Sequence, residues 1–365
     1  MSYKYPVYQP NLSGNEKKYV QECLDSTWIS SKGKFIKQFE DNFSNFTGIK
    51  NSVAVSNGTV ALHVALLALG IEKDDEVIVP TFTYIASVNA IQYTGAIPIF
   101  VDSDPLTWQI DVTKIEEKIS SKTKAIMAVH IYGHPCEMIE IRKIADIHNL
   151  FIIEDCAEGI GTLFNGKHVG LFGDISTFSF FGNKSITTGE GGMVCTNDDK
   201  LAELSFRLKG QGLAKNREYF HDIIGYNYRM TNICAAIGCA QLERIVDILN
   251  KKRQVVVNYI DGIQSLPIAY HQEIGDVKHS YWMFTILVNS ESERTRLRKY
   301  FNENGIETRP TFHPVHTMPM YNTGEKFEVA EDLGKRGINL PSYPELSEAD
   351  IKYITDKINN FYNGS

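Results

Sequence analysis

The sequence predicts an α/β protein: a large domain built on a mostly parallel mixed sheet sandwiched by helices, followed by a smaller α+β C-terminal domain. Three observations predict it. From residue 52 to about 197, short β-branched runs alternate with helical stretches. Those runs are apolar throughout, as strands buried on both faces are. Beyond them come a long helical stretch, then isolated strands and helices, which reads as a second lobe. The division is placed at 1–245 and 246–365, with the N-terminal segment available to pack on the second domain.

In chain order the predicted strands are SVAVS (52–56), EVIVP (76–80), AIPIFVD (96–102), KAIMAVHIY (124–132), LFIIEDC (150–156), DISTFSFF (174–181) and GMVCTN (192–197). VALHVALLALG (60–70) and EMIEIRKIADIHN (137–149) are helical patterns between them. The last two strands follow each other without a helix, which predicts one antiparallel pair. One long helix is expected to start near Thr231 and to run past Arg253, because its apolar residues keep a three-to-four spacing. A strand YWMFTILV (281–288), a helix (292–305), an extended Pro-rich stretch ETRPTFHPVHTMP (307–319) and a terminal helix (347–362) complete the smaller lobe.

Composition narrows the function. The chain has 365 residues, 43% hydrophobic and 22% charged, with a net charge of −7, which argues against an extended nucleic-acid or acidic-membrane surface. Small anionic substrates stay open. The six cysteines form no CxxC pair and read as reduced thiols. The N-terminus lacks an apolar leader, and the uncharged span Val77–Val101 is broken by Pro80, Asn89, Gly95 and Pro98, so no membrane segment is expected. The expectation is a cytoplasmic enzyme.

Four features fall at predicted strand ends, where open sheets of this kind bind ligands. Ser56-Asn57-Gly58-Thr59 ends one strand and opens a helix; Gly58 permits close backbone approach, and the exposed amides suit a phosphate as well as they suit a plain N-cap. Thr81-Phe82-Thr83-Tyr84 puts an aromatic ring at the same edge, either as core or as a stacking platform. Glu154 and Asp155 close a buried strand and need a partner: a metal, an arginine or a cationic ring nitrogen. Mg²⁺ is the main rival, but no third carboxylate or histidine at ligand spacing accompanies them. Finally, FSFFGNKSITTGEGGMV sets Lys184 between an apolar run and a glycine-rich turn, five residues after Ser179. Such a lysine either reaches solvent or uses a lowered pKa to attack a carbonyl. Together, a phosphate cradle, an aromatic platform, a strand-end carboxylate, a serine and a lysine are the parts that pyridoxal 5′-phosphate requires.

At these residues the chain resembles the DegT/DnrJ/EryC1/StrS sugar aminotransferases, fold-type I pyridoxal-phosphate enzymes. SNGTVALHVALLALG, IVPTFTYIASVNAI, EDCAEGIG, FSFFGNKSITTGEGGMV and GYNYRMTNICAAIG match in order, and the resemblance covers almost the whole chain. It implies Lys184 as the Schiff-base lysine and Asp155 as the partner of the pyridinium nitrogen. It implies Tyr84 stacked on the ring, with Gly58, Thr59 and Ser179 on the phosphate. Glu158 stands near the cofactor's 3-oxygen, where many relatives carry Gln or His. Asn227 matches a residue lent to the neighbouring subunit's phosphate, so a homodimer or a dimer of dimers is implied.

The variants FFGNK, EDCAE and PVHTMPMY resemble members that take GDP-4-keto-6-deoxy-D-mannose, with L-glutamate as amino donor, for O-antigen or other surface polysaccharide. A UDP- or dTDP-linked 4-keto-6-deoxy sugar is the alternative substrate. A deoxysugar dehydratase, which carries His in place of the lysine, is the alternative reaction. Arg229, Arg309, His313 and His316 are assigned to the sugar nucleotide. His313-x-x-His316 is not read as a metal pair, because Pro314 interrupts it and no Cys or carboxylate complements it.

Overall fold

The computed structural model describes residues 3–364. Helices α1 (Glu16–Asp25) and α2 (Lys34–Thr47) precede the first strand. In α2 a four-residue spacing aligns Phe35, Phe39 and Phe43 on one buried face, and Gly48 closes the helix in the left-handed conformation, φ 78°. Next come β1 (Asn51–Val55), α3 (Gly58–Ala68), β2 (Glu76–Pro80), α4 (Ile85–Tyr93), β3 (Ile97–Val101), β4 (Thr123–Val129), α5 (Met138–His148) and β5 (Phe151–Asp155). The short β6 (Leu163–Phe164) and β7 (Lys167–His168) lead to β8 (Ile175–Ser179), β9 (Gly192–Thr196) and α6 (Asp199–Lys209).

Seven strands form one sheet in the order β1-β9-β8-β5-β4-β2-β3. From β8 to β3 all pairs are parallel, whereas β9 is antiparallel to both β8 and β1. That reversed strand is the antiparallel pair expected after residue 174. Because β9 is the only reversed strand, β1, β2, β5 and β8 all end at one rim, and the residues following them meet there. Helix α3 is apolar on every side and buried over the sheet, and two phenylalanine- and valine-rich clusters fill the opposite faces.

The helix expected from Thr231 is two: α7 (Asn232–Leu242) and α8 (Ile245–Ile263). Neither Pro nor Gly marks the break. It comes from docking, since α7 packs on α1 and α2 while α8 packs on the last helix of the chain, and Arg244 at the joint donates from Nη1 to Asn11 Oδ1 at 2.7 Å. The chain continues through β10 (Ala269–Tyr270), β11 (Val277–Lys278), β12 (Phe284–Leu287), α9 (Glu291–Glu303), β13 (Arg309–Pro310), α10 (Glu328–Arg336), β14 (Gly337–Leu340) and α11 (Glu348–Asn363). A second, antiparallel sheet has the order β10-β12-β14-β13, and β11 pairs with β6 in a small ribbon.

Strand β12 is shorter than the run 281–288, because Tyr281 turns left-handed (φ 49°) and the Trp282 carbonyl accepts from the buried Lys252 ammonium instead. Strand β4 stops before the end of 124–132 for a similar reason: the His130 amide makes the last bond to β5, on the Asp155 carbonyl at 3.1 Å, and Tyr132 is left-handed (φ 56°). The N-terminal segment lies on the second sheet, with Tyr5 bridged to Ile306 and the Val7 amide donating to Glu307 Oε2 at 2.8 Å. Among the described residues no helix is long and apolar enough to cross a membrane.

Candidate active site

A cavity of about 600 Å³ opens at the shared strand rim, lined by residues from both sheets. Lys184 enters it from the turn after β8. Its Nζ lies 3.3 Å from Glu158 Oε1 and 3.9 Å from the centre of the Trp282 ring. The backbone there is pinned from outside: the Tyr8 hydroxyl donates to the Lys184 carbonyl, and the Trp282 indole N–H donates to the Asn183 carbonyl at 2.7 Å. The side chain is therefore aimed inward, not at solvent.

Glu158 also accepts from the Tyr132 amide at 2.7 Å. Burial pushes its carboxyl above the usual range, although the Lys184 ammonium and the Tyr132 amide pull the other way.

The two acids at the end of β5 separate. Strand alternation turns Asp155 into the cavity and Glu154 away from it. Asp155 accepts from the Ser87 hydroxyl at 2.7 Å and from the Ala157 amide at 3.1 Å. Glu154, fully buried, accepts from His130 Nε2 at 3.0 Å and from the amides of Gly170, Phe172 and Gly173 at 2.6–2.8 Å. Burial alone would raise its pKa, but His130 and these amides outweigh it and hold the carboxyl low. Glu154 thus fixes the 170–173 loop. Its divergence from Asp155 removes the paired-carboxylate basis of the Mg²⁺ alternative. Ligand atoms of His130, Glu154 and Cys156 do lie within 4.8 Å of one another. Yet His130 Nδ1 accepts from the Cys136 amide at 3.0 Å while Nε2 serves Glu154, so the imidazole has no free nitrogen.

At the end of β1, Asn57 caps α3 by accepting from the Val60 amide at 3.0 Å, while the first-turn amides of Gly58 and Thr59 have no intrahelical partner. A Cβ on Gly58 would lie 2.8 Å from Ser179 Cβ, closer than side chains tolerate. Tyr84 precedes α4 and is 58% exposed at the cavity wall, which excludes the core reading.

This arrangement fits pyridoxal phosphate: a helix start pressed against a serine for the phosphate, an uncovered ring beside it, a hydrogen-bonded carboxylate and an inward lysine. Gly58→Ala is expected to weaken cofactor binding about tenfold or more, since overpacking of this kind costs about 1–3 kcal/mol. Titration of the cofactor-free protein with pyridoxal phosphate, followed by absorbance, checks this; unchanged affinity would remove the cradle.

The remaining predicted residues divide. Arg309 lines the cavity. Asn227 is exposed and bridges Gly210, and Arg229 Nη1 lies 3.4 Å from Gln211 Oε1, so both stand outside the cavity wall of their own chain. His313 is exposed and also lies outside it. His316 is buried, with Nδ1 2.7 Å from Thr81 Oγ1 and Nε2 3.5 Å from Glu331. It clasps α10 to the loop after β2 and is not turned toward the cavity. Tyr8, Ser87 and Trp282 are site residues that the sequence did not single out. Ser87 had a local signal, three residues after Tyr84 on one helix turn; Tyr8 and Trp282 had none.

The family model for the DegT/DnrJ/EryC1/StrS aminotransferase family matches residues 10–359. The chain belongs to this family. Relatives include the GDP-perosamine synthase of Escherichia coli O157:H7, 62% identical over 358 residues and 98% of each chain. The GDP-perosamine synthase of Vibrio cholerae is 51% identical, over 98% of this chain and 99% of the relative. Among solved structures, the aminotransferase from Psychrobacter cryohalolentis is 31% identical and superposes with a TM-score of 0.93 over 99% of both chains. Helicobacter pylori PseC, an aminotransferase in the biosynthesis of pseudoaminic acid, is 25% identical, with a TM-score of 0.94 over 99% of this chain and 100% of its own. As a family member this chain is an aminotransferase that uses pyridoxal phosphate. That cofactor supplies an aldehyde for the amine and a ring that withdraws electrons from the carbon losing its proton.

Proposed function

We propose that this chain makes GDP-perosamine, moving the amino group of L-glutamate to the C4 carbonyl of GDP-4-keto-6-deoxy-D-mannose and releasing 2-oxoglutarate. The observation that carries the substrate is the 62% identity to the Escherichia coli GDP-perosamine synthase over nearly the full length of both chains. The product belongs to surface polysaccharide such as O-antigen.

In this reading Lys184 is the nucleophile and the proton carrier. Its Nζ would take the α-proton of the amino donor and deliver it to the cofactor's C4′, and in the second half would take a proton from C4′ and deliver it to C4 of the sugar. Asp155, fixed by Ser87 and the Ala157 amide, keeps a proton on the ring nitrogen. Glu158 steadies the ammonium form of Lys184 between proton transfers. Gly58, Thr59 and Ser179 hold the phosphate, Tyr84 covers the ring, and Arg309 reaches the sugar nucleotide from the second sheet.

Asn227, exposed here, serves the site of a second copy, so the working unit is a homodimer or a dimer of dimers. Tyr219 and Ile224, 95% and 85% exposed on the same stretch, support a face that another copy covers. The division near residues 245 and 246 belongs to the same reading, with the break before α8 as its hinge.

The test supplies L-glutamate with GDP-, UDP- and dTDP-linked 4-keto-6-deoxy sugars and identifies the aminated product by mass. Amination of the GDP sugar is expected. Amination of UDP sugars alone would overturn the substrate and leave the reaction class standing.

A further inference from the structure

Behind Asp155 lies a short chain of hydroxyls, of which the reaction as described uses only the Ser87 contact. Ser87 Oγ is 2.7 Å from Asp155 Oδ2, and Thr83 Oγ1 is 3.1 Å from Ser87 Oγ. Both residues are buried, each 1% exposed. Thr83 immediately precedes Tyr84, and Ser87 sits in the first turn of α4. We propose that Ser87, oriented by Thr83, is the positioning residue of Asp155, so that the helix presenting the Tyr84 ring also sets the carboxylate's hold on the ring proton. This rests on the reading that Asp155 faces the ring nitrogen.

The direction of the protons follows from donor counting. An ionised carboxylate only accepts, so the Ser87 hydroxyl must donate to Asp155. Its lone pair then accepts from Thr83, which turns the Thr83 proton toward Ser87 and away from its other acceptor, the Tyr84 carbonyl at 3.3 Å. Each Asp155 oxygen thereby has one fixed donor, Ser87 on Oδ2 and the Ala157 amide on Oδ1, and the remaining lone pairs are free for the cavity. With the Ser87 donor gone, Asp155 Oδ2 loses the bond that fixes its direction, and the carboxylate's contact with the ring nitrogen weakens. The start of α4 adds its positive dipole end on the same side. Ser87→Ala creates no clash, because it only removes an oxygen.

The experiment is a pH titration of the cofactor absorbance in the loaded enzyme, run beside steady-state kinetics, for Ser87→Ala, Ser87→Thr, Thr83→Val and Asp155→Asn. Ser87→Ala should move the absorbance midpoint in the same direction as Asp155→Asn but by less. Its kcat should fall about tenfold or more, with KM for L-glutamate changed by less than about threefold. Ser87→Thr should restore the wild-type midpoint, and Thr83→Val should move it part of the way. A wild-type midpoint in Ser87→Ala, or equal shifts in Ser87→Ala and Ser87→Thr, overturns the proposal. Should Ser87→Ala not fold, Thr83→Val decides alone, and a wild-type midpoint there overturns it too. If Asp155→Asn itself leaves the midpoint unmoved, the assignment of Asp155 fails and this inference with it. If Asp155→Asn moves the midpoint and the hydroxyl variants do not, only this inference fails.

Discussion

Lys184→Ala should lose amino transfer by at least about 10⁴-fold while still taking up pyridoxal phosphate. The reason is the division of labour in the cavity. Gly58, Thr59, Ser179 and Tyr84, proposed to hold the cofactor, come from the ends of β1, β2 and β8, and none depends on the lysine side chain for its position. The Lys184 backbone is also held independently, by Tyr8 on its carbonyl and by Trp282 on the neighbouring Asn183. What the substitution removes is the amine, and with it the nearest cation to Glu158. The Glu158 carboxyl, already raised by burial, should then rise further, because the charge opposing that rise is gone. Lys184→Arg separates charge from proton transfer. It restores a cation near Glu158 but not a base, since a guanidinium does not deprotonate in a protein, and it should be as inactive as the alanine variant. Single-turnover formation of 2-oxoglutarate from L-glutamate measures both. Near-normal turnover in either variant would end the assignment.

Much of this site was legible because its parts are local. Strands buried on both faces are apolar without interruption, so β1 to β5, β8 and β9 stand out, and a parallel sheet brings their ends to one rim. Asp155 closes such a strand, and Gly58, Tyr84 and Lys184 each follow one within a few residues. Distinguishing Glu154 from Asp155 needed more than adjacency. Both close the same strand, and only the side on which the cavity lies makes one a cavity residue and the other a loop anchor. Tyr8, Trp282 and the role of His316 were not legible, because they depend on how the second sheet docks, across more than 90 residues of chain. The break between α7 and α8 belongs here too: Glu243 and Arg244 are good helix formers, and tertiary packing overrides them. Helix α2 is a different case. The spacing of Phe35, Phe39 and Phe43 is a local signal that the sequence itself carries.

Acid should unfold this protein steeply. Among the described residues five buried histidines are lowered by burial: His63, His134, His168, His271 and His279, none more than 6% exposed. His168 is lowered to about 4, and His271 and His279 well below their usual value. For such groups the folded form resists protonation, so their stabilisation is complete above the unfolded value of about 6.5 and is lost as pH falls from there toward the folded values. Each contributes a slope of at most about 1.4 kcal/mol per pH unit, from where the unfolded chain is protonated down to where the folded group takes up its own proton. Several such groups add up to on the order of a few kcal/mol per pH unit, a large share of the stability of an ordinary domain. Glu158 and Glu137 oppose the trend, since a raised carboxyl keeps a proton that the unfolded chain releases, but they are two groups against five. Lys252, lowered to about 7 by burial, adds a slope only between about 7 and 10.5 and leaves the acid side untouched.

Geometry ties this lability to the site. His134, His271 and His279 stand 5.4–5.8 Å apart, ring centre to ring centre, between the Tyr132 turn and the segment that leads to Trp282. Neither His271 nitrogen makes a hydrogen bond of good geometry, its one polar neighbour being the Thr107 backbone, and its ring lies 3.7 Å from that of Trp108. Charging this cluster therefore pushes apart two segments that brace the site, the Tyr132 turn through its amide on Glu158 and the Trp282 segment through its indole on the Asn183 carbonyl. Urea unfolding at a series of pH values should show the midpoint falling from pH 7 to pH 5. His271→Phe, which keeps the ring and removes both nitrogens, should lessen the slope by about one proton. A midpoint that stays constant over this range would mean that the histidines find their protons, or lose their burial, without unfolding.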